Sequence, residues 1–343
     1  MLWGKRRTVR ILSIDGGGIR GLIPALVLRY VRDRLRERGA HHDLHQVFDL
    51  MAGTSSGGLI VAGLAAPAED RLRPGKFLTS PANSIDDIVQ IYMERGPEIF
   101  SRTVFRRLRS LVQAVHEKYS SEPLRQVLEE ALGNATLKDA LCHLLVTSYD
   151  MENGTVFLFK HRPERKDRTE GDLNFYLKDV AQATAAAPTY FEPLRVSPIN
   201  DSQTRLCLVD GGVFAANPTM CAYIEARKTF TSARRFVILS LGTGIVTKRY
   251  PYEEIKTWGY LEWINPGKGA PLSSVMQRGQ SECVDHQLNK LPGVDYIRIN
   301  GFLSEKHYEM DDASPENMVA LQDYASRFIE ENKEELERFC REV

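Results

Sequence analysis

The chain has 343 residues and a formal net charge of zero, with 45 Lys and Arg against 45 Asp and Glu. At 43% hydrophobic and 26% charged residues, the composition excludes a disordered tail, and the cancelled charge excludes a globally basic DNA or RNA binder. The length permits two domains or one large α/β domain.

Five cysteines, at 142, 207, 221, 283 and 340, show no paired spacing, so reduced, buried thiols are expected rather than a disulfide framework. The basic stretch Met1–Arg10 leads into no apolar run long enough for a signal peptide, and a cytoplasmic location is expected. Apolar runs such as Leu59–Ala66 fall short of the ~20 residues of a membrane-spanning helix. Any membrane contact is therefore expected from the surface.

In chain order, Thr8–Ile14 reads as a buried strand and Ile19–Arg38 as an amphipathic helix with Pro24 in its first turn. Val47–Ala52 reads as a second strand and Ser56–Ala66 as a helix of small and apolar residues. This βαβα order predicts a parallel sheet. Residues 67–83 read as a loop, and 84–141 as a helical insertion with helices near 84–95, 102–116 and 120–132. Strands follow at His143–Tyr149 and Thr155–Phe159, joined by a turn at Glu152-Asn153-Gly154. Residues 160–172 form a charged loop. Arg205–Val209, Phe236–Leu241 and Val294–Ile299 read as further strands, with a helix near 217–229 and a long terminal helix over about 314–341. No repeat or linker interrupts this order, so one unit over 1–343 is expected.

Asp15–Gly21 reads DGGGIRG. Gly16, Gly18 and Gly21 satisfy a dinucleotide fingerprint after a strand, yet the same glycines could form an oxyanion hole or merely a tight turn. The acidic residue a dinucleotide site wants about 20 positions on falls at Glu37, late in the helix, and Asp15 would repel a pyrophosphate. Gly53-Thr54-Ser55-Ser56-Gly57 fits G-x-S-x-G between a strand and a helix, which is the context of a nucleophile elbow. Adjacent parallel strands would bring both turns to one sheet edge, where the Ser56 N–H could join the glycine amides. A serine needs a base, and Asp210, followed by Gly211 and Gly212, ends an apolar strand. For a triad, His286 and His307 are the downstream candidates. No metal-ligand spacing is present among the histidines, and no metal or cofactor is expected.

DGGGIRG at 15–21, GTSSGG at 53–58 and DGG at 210–212 resemble, in order and context, the patatin-like phospholipases. ERGPEIF (94–100), TAAAPTYF (184–191), LVDGGVFAANP (208–218) and LSLGTG (239–244) extend the resemblance, toward bacterial members, over nearly the whole chain. The resemblance implies a three-layer α/β/α fold with a mostly parallel central sheet. It implies a Ser55–Asp210 dyad rather than a triad, an oxyanion hole from Gly16, Gly17, Gly18 and Ser56, and support from Arg20, Gly21, Gly53, Gly57, Gly211 and Gly212. The implied activity is hydrolysis of membrane phospholipid esters to release fatty acid, at the inner membrane surface. A cyclic-nucleotide-activated effector of antiphage defence, a non-specific lipid esterase and a non-enzymatic binding protein are the alternatives.

Residues 104–115 (VFRRLRSLVQAV) form a basic amphipathic stretch that would pack on the core or lie on an anionic bilayer. Residues 1–38 carry ten Lys/Arg and three Asp/Glu, while 301–343 carry five and twelve. The neutral sum is thus made of opposed regions, and a locally basic, site-bearing end is expected.

Overall fold

The computed structural model describes residues 8–100, 119–162, 173–246, 249–265, 268–307 and 309–343. Its strands are β1 (Thr8–Ile14), β2 (Leu50–Gly53), β3 (Pro67–Glu69), β4 (Phe77–Pro81), β5 (His143–Asp150) and β6 (Thr155–His161), then β7 (Leu194–Val196), β8 (Leu206–Asp210), β9 (Arg235–Leu241), β10 (Ile245–Val246), β11 (Val294–Ile299) and β12 (Phe302–Leu303). The main sheet runs β11-β9-β1-β2-β5-β8-β7, with β6 also on β5. From β11 to β5 all pairings are parallel.

β1 and β5 read as near-continuous apolar runs because both of their faces are covered. Leu12 and Ile14 join the core beneath helices Leu22–Glu37 and Ser56–Ala65. Val9 and Ile11 join a second core with Ala222, Tyr223 and Phe230, on and just past helix Thr219–Thr229. Helices therefore cover both faces, giving the α/β/α layering expected from the motif pattern.

One edge of β5 positions the site. β6 occupies its other edge from Leu144 to Asp150. The near edge is shared end to end: β2 pairs in parallel as far as Gly53 opposite Val146, and β8 pairs antiparallel as far as Asp210 opposite Ser148. The two short strands run toward each other and meet at Thr147. Asp210 is thus the last residue of its strand, delivered from the direction opposite to Ser55. A reading of apolar runs assigns no strand direction, which is why this reversal was not foreseen.

Several boundaries move. The predicted strand at 47–52 starts only at Leu50, because Leu44–Val47 closes a helical turn whose start is capped by Gln46 on the Asp43 N–H, 3.1 Å. The loop at 67–83 contains the β3–β4 hairpin. Within the predicted insertion lie helices Ile85–Ile99 and Glu122–Leu132 and the short turn Leu137–Asp139, whereas the helix predicted near 102–116 and most of the charged loop at 160–172 lie outside the described residues. Helix Leu177–Ala185 was not anticipated. The predicted terminal helix is two helices, Pro315–Glu331 and Lys333–Glu342, broken at Asn332, whose side chain donates to the Phe328 carbonyl at 2.8 Å and ends the first. Of the five cysteines only Cys142 and Cys340 are buried; Cys207 and Cys221 are partly exposed and Cys283 is exposed. Among the described residues no helix is long and apolar enough to cross a membrane.

The opposed charges face each other. Arg34 and Arg38 both reach Glu337, at 2.5 and 2.7 Å, and Arg10 donates to the Glu342 carbonyl at 2.6 Å. Arg32 clasps Asp86 at 2.6 Å. Four of the ten basic residues of 1–38 are thus committed to neighbouring helices.

Candidate active site

Ser55 sits between β2 and helix Ser56–Ala65 with φ 53 and ψ −126. That backbone state is costly for a residue with a Cβ and persists only where the surroundings enforce it. Here the Ser55 N–H donates to Thr184 Oγ1 at 2.9 Å, and the Gly57 N–H donates to the Thr54 carbonyl at 2.8 Å. A Cβ at Gly57 would overlap the Ile14 carbonyl of β1, so the tight strand-to-helix turn requires glycine there. Thr54 Oγ1 locks the turn to β5 and to the short helical turn Gly212–Ala215 that follows β8. It bonds Thr147 Oγ1 and the Ala215 carbonyl, each at 2.7 Å.

Asp210 is buried, and its Oδ1 accepts the Gly212 N–H at 2.6 Å. Burial pushes its carboxyl up to about 6, opposed by hydrogen bonds from the Ser55 hydroxyl and the Gly212 N–H. The structure therefore places Ser55 and Asp210 together on the wall of one cavity. Among the described residues it brings in no histidine. His286 is exposed at the end of helix Pro271–Leu288, His307 Nδ1 bonds Asn317 Oδ1 at 2.6 Å, and neither lines the cavity described below.

The glycine loop follows β1 directly. Gly16 does not offer its N–H to a substrate, because that group donates to the Ala216 carbonyl at 3.0 Å. The expectation for Gly16 is corrected: it supports the loop. The Gly17, Gly18 and Ser56 N–H groups have no protein acceptor among the described residues. Gly18 has φ +58, and a Cβ there would overlap the Met310 carbonyl. Thr243 Oγ1 donates to the Gly16 carbonyl at 2.8 Å, and the Ile19 N–H to the Met310 carbonyl at 2.8 Å. Arg20 is buried and lines the cavity, and Gly21 leaves room for Tyr92, whose hydroxyl donates to the Ser56 carbonyl at 3.1 Å.

Beneath the loop lies a partner that motif reading missed. Arg298, on β11, grips the buried Asp15 carboxylate at 3.0 and 2.5 Å and donates to Ser240 Oγ at 2.9 Å. Burial pushes the Asp15 carboxyl up, and the guanidinium opposes that by pairing its charge. Arg298 also lies 3.5 Å from Asp285, which accepts from Tyr296 at 2.5 Å and from Asn217 at 3.1 Å. An arginine between the buried Ile297 and Ile299 of the strand VDYIRI was the available signal, because a charge so placed demands a partner.

Ser55, Asp210, Gly17 and Gly18 open into a cavity of about 1470 Å³. Leu59, Ile60, Ile88, Val127 and Leu128 make much of its wall apolar. The space suits a long acyl chain with its ester at Ser55.

Similarity to known proteins agrees with this geometry. The patatin-like phospholipase family model matches residues 12–223. The chain is 30% identical over 361 residues to patatin-like protein 2 of Oryza sativa subsp. indica, covering 96% of this chain and 85% of that protein. It is 32% identical over 338 residues to patatin-17 of Solanum cardiophyllum, covering 91% and 81%. It is also 32% identical over 337 residues to a Solanum tuberosum protein named probable inactive patatin-3-Kuras 1, covering 91% and 84%. The chain belongs to the patatin-like phospholipase family and is a lipid acyl hydrolase.

Proposed function

We propose that the chain cleaves carboxylic ester bonds of membrane glycerophospholipids and releases fatty acid through a Ser55–Asp210 dyad. The observation that carries this reading is that the strained Ser55 and the buried Asp210 lie together on the wall of one largely apolar cavity. Asp210 takes the Ser55 proton as Oγ attacks the ester carbonyl. Gly17, Gly18 and Ser56 offer N–H groups to the oxyanion, and each good donor is worth about 10²–10³ in kcat. Collapse of the tetrahedral intermediate expels the lysolipid alcohol, which takes the proton back from Asp210. Water, deprotonated by Asp210, then releases the fatty acid from Ser55. A raised carboxyl makes Asp210 a stronger base than an exposed aspartate, at the cost of needing pH above about 6 to be ionised.

In a bacterial cell, the setting suggested by the motif likeness, the substrate would be inner-membrane lipid reached from the cytoplasmic side. The test is fatty-acid release from phospholipid vesicles by wild type, Ser55→Ala and Asp210→Ala, each with and without cyclic di- and trinucleotides. Release by the wild type alone, unchanged by nucleotide, is expected. Activity that appears only with a nucleotide would replace this reading with the regulated-effector one. Equal release by Ser55→Ala would refute the dyad.

A further inference from the structure

Between β10 and helix Pro271–Leu288 the chain carries a run of aromatic residues on short helices, Tyr252–Ile255 and Tyr260–Ile264. The chain has three tryptophans, and two of them, Trp258 and Trp263, lie here. A helix of five residues has no stability of its own. This one is held by edge-to-face contacts, Tyr250 on Trp258 at 5.2 Å and Trp258 on Trp263 at 5.3 Å. The result is a helix with two apolar sides. Trp263 and Ile264 line the cavity that contains Ser55, while Tyr260 and Leu261 stand 76% and 73% exposed beside it. The next helix continues the band: Leu272, Val275 and Met276 also line the cavity and are each about half exposed, at 45%, 53% and 52%. Apolar side chains of both helices therefore reach from the cavity that holds Ser55 to the outside.

Cations flank the aromatics without giving the segment a strong field. The Lys268 amine lies 4.6 Å from the Trp258 ring centroid and 3.9 Å from Glu254, and Lys256 pairs with Glu253. Aromatic rings with balanced charges beside them suit the headgroup region of a bilayer, where a ring is apolar in body and wet at the tip.

We infer that Tyr260 and Leu261, with the exposed edge of helix Pro271–Leu288, form the docking surface on which the enzyme sits on a phospholipid bilayer. Acyl chains then leave the membrane directly along the apolar band toward Ser55. The inference rests on the lipid-hydrolase reading and adds where the lipid enters. Because the local charge is balanced, docking is driven by apolar insertion. It is expected on neutral phosphatidylcholine vesicles and survives about 0.5 M salt, which would screen an electrostatic contact.

The test separates docking from chemistry. Ser55→Ala protein is sedimented with sucrose-loaded phosphatidylcholine vesicles, with and without the pair Tyr260→Ser and Leu261→Ser. The pair should weaken vesicle binding roughly tenfold or more, since two large apolar side chains leave the bilayer. In the Ser55 enzyme the same pair should slow hydrolysis of vesicle lipid to a similar extent, yet leave hydrolysis of a monomeric short-chain nitrophenyl ester at the wild-type rate. Undiminished vesicle binding overturns the inference. So does an equal fall on the soluble ester, which would mean a damaged site. Light scattering that shows a wild-type dimer, lost in the pair with vesicle binding intact, would give the surface to a second copy instead. If the wild type hydrolyses neither substrate, the functional reading fails, and the vesicle-binding comparison still stands by itself.

Discussion

Asp210→Asn should destroy activity and stabilise the protein, and the two effects should share a cause. Burial raises the Asp210 carboxyl from 3.8 to about 6. Ionised, it costs the folded state about 3 kcal/mol at most, from roughly two pKa units at 1.36 kcal/mol each. For a raised carboxyl the sign is fixed. Its favourable contribution is complete below pH 3.8 and is lost as pH rises through about 6. Asparagine stays neutral, keeps an Oδ1 for the Gly212 N–H, and avoids the loss. At pH 8 Asp210→Asn should therefore exceed the wild type by about 2–3 kcal/mol, a rise of roughly 4 °C in Tm for a chain of this length. At pH 3.5 the two should melt together. kcat should fall by about 10²–10⁴ with the base gone, and wild-type kcat should decline below about pH 6. Calorimetric melts across pH, paired with ester hydrolysis, read both. A variant no more stable than wild type at pH 8, or an acidic limb near pH 4, would refute the buried-base argument.

Three further outcomes follow from the site. Ser55→Gly and Ser55→Ala should both be inactive, but the glycine variant should be more stable in urea by ~1 kcal/mol, because it relieves the positive φ at position 55. Arg298→Met should cost about 3–5 kcal/mol by leaving Asp15 buried and unpaired, and adding Asp15→Asn should recover at least half of that in the same urea titration. His307→Ala should retain most of the activity on a soluble ester, since its ring is held by Asn317 away from the cavity; an enzyme as inactive as Ser55→Ala but still folded would restore a triad.

The parts of the site that lie on local patterns were readable from the chain. A buried strand, a glycine turn and a helix of small residues at 50–65 identify the elbow, because each imposes its own local composition. Two-faced burial of β1 likewise appears as a near-continuous apolar run. What was not readable depends on pairing. That β8 runs against β5 is a tertiary fact, and four residues of apolar sequence look the same in either direction. The engagement of the Gly16 N–H depends on Ala216, across the site, so spacing alone made all three glycines look equivalent. Arg34 and Arg38 looked available because their acidic partner, Glu337, lies at the far end of the chain, as does the Glu342 carbonyl that Arg10 meets.

The head-on meeting of β2 and β8 at Thr147 also orders events in time. The bond that closes the junction, from Thr54 to the Ala215 carbonyl, spans 161 positions of chain. Contacts of such long range form late, because loop closure must precede them. A refolding chain that has assembled β1, β2 and β5 already holds the serine turn but has no carboxylate beside it. Such an intermediate has part of its parallel sheet and no hydrolytic power. Esterase activity should then return after the sheet signal in circular dichroism, and the cell is spared a half-folded lipase.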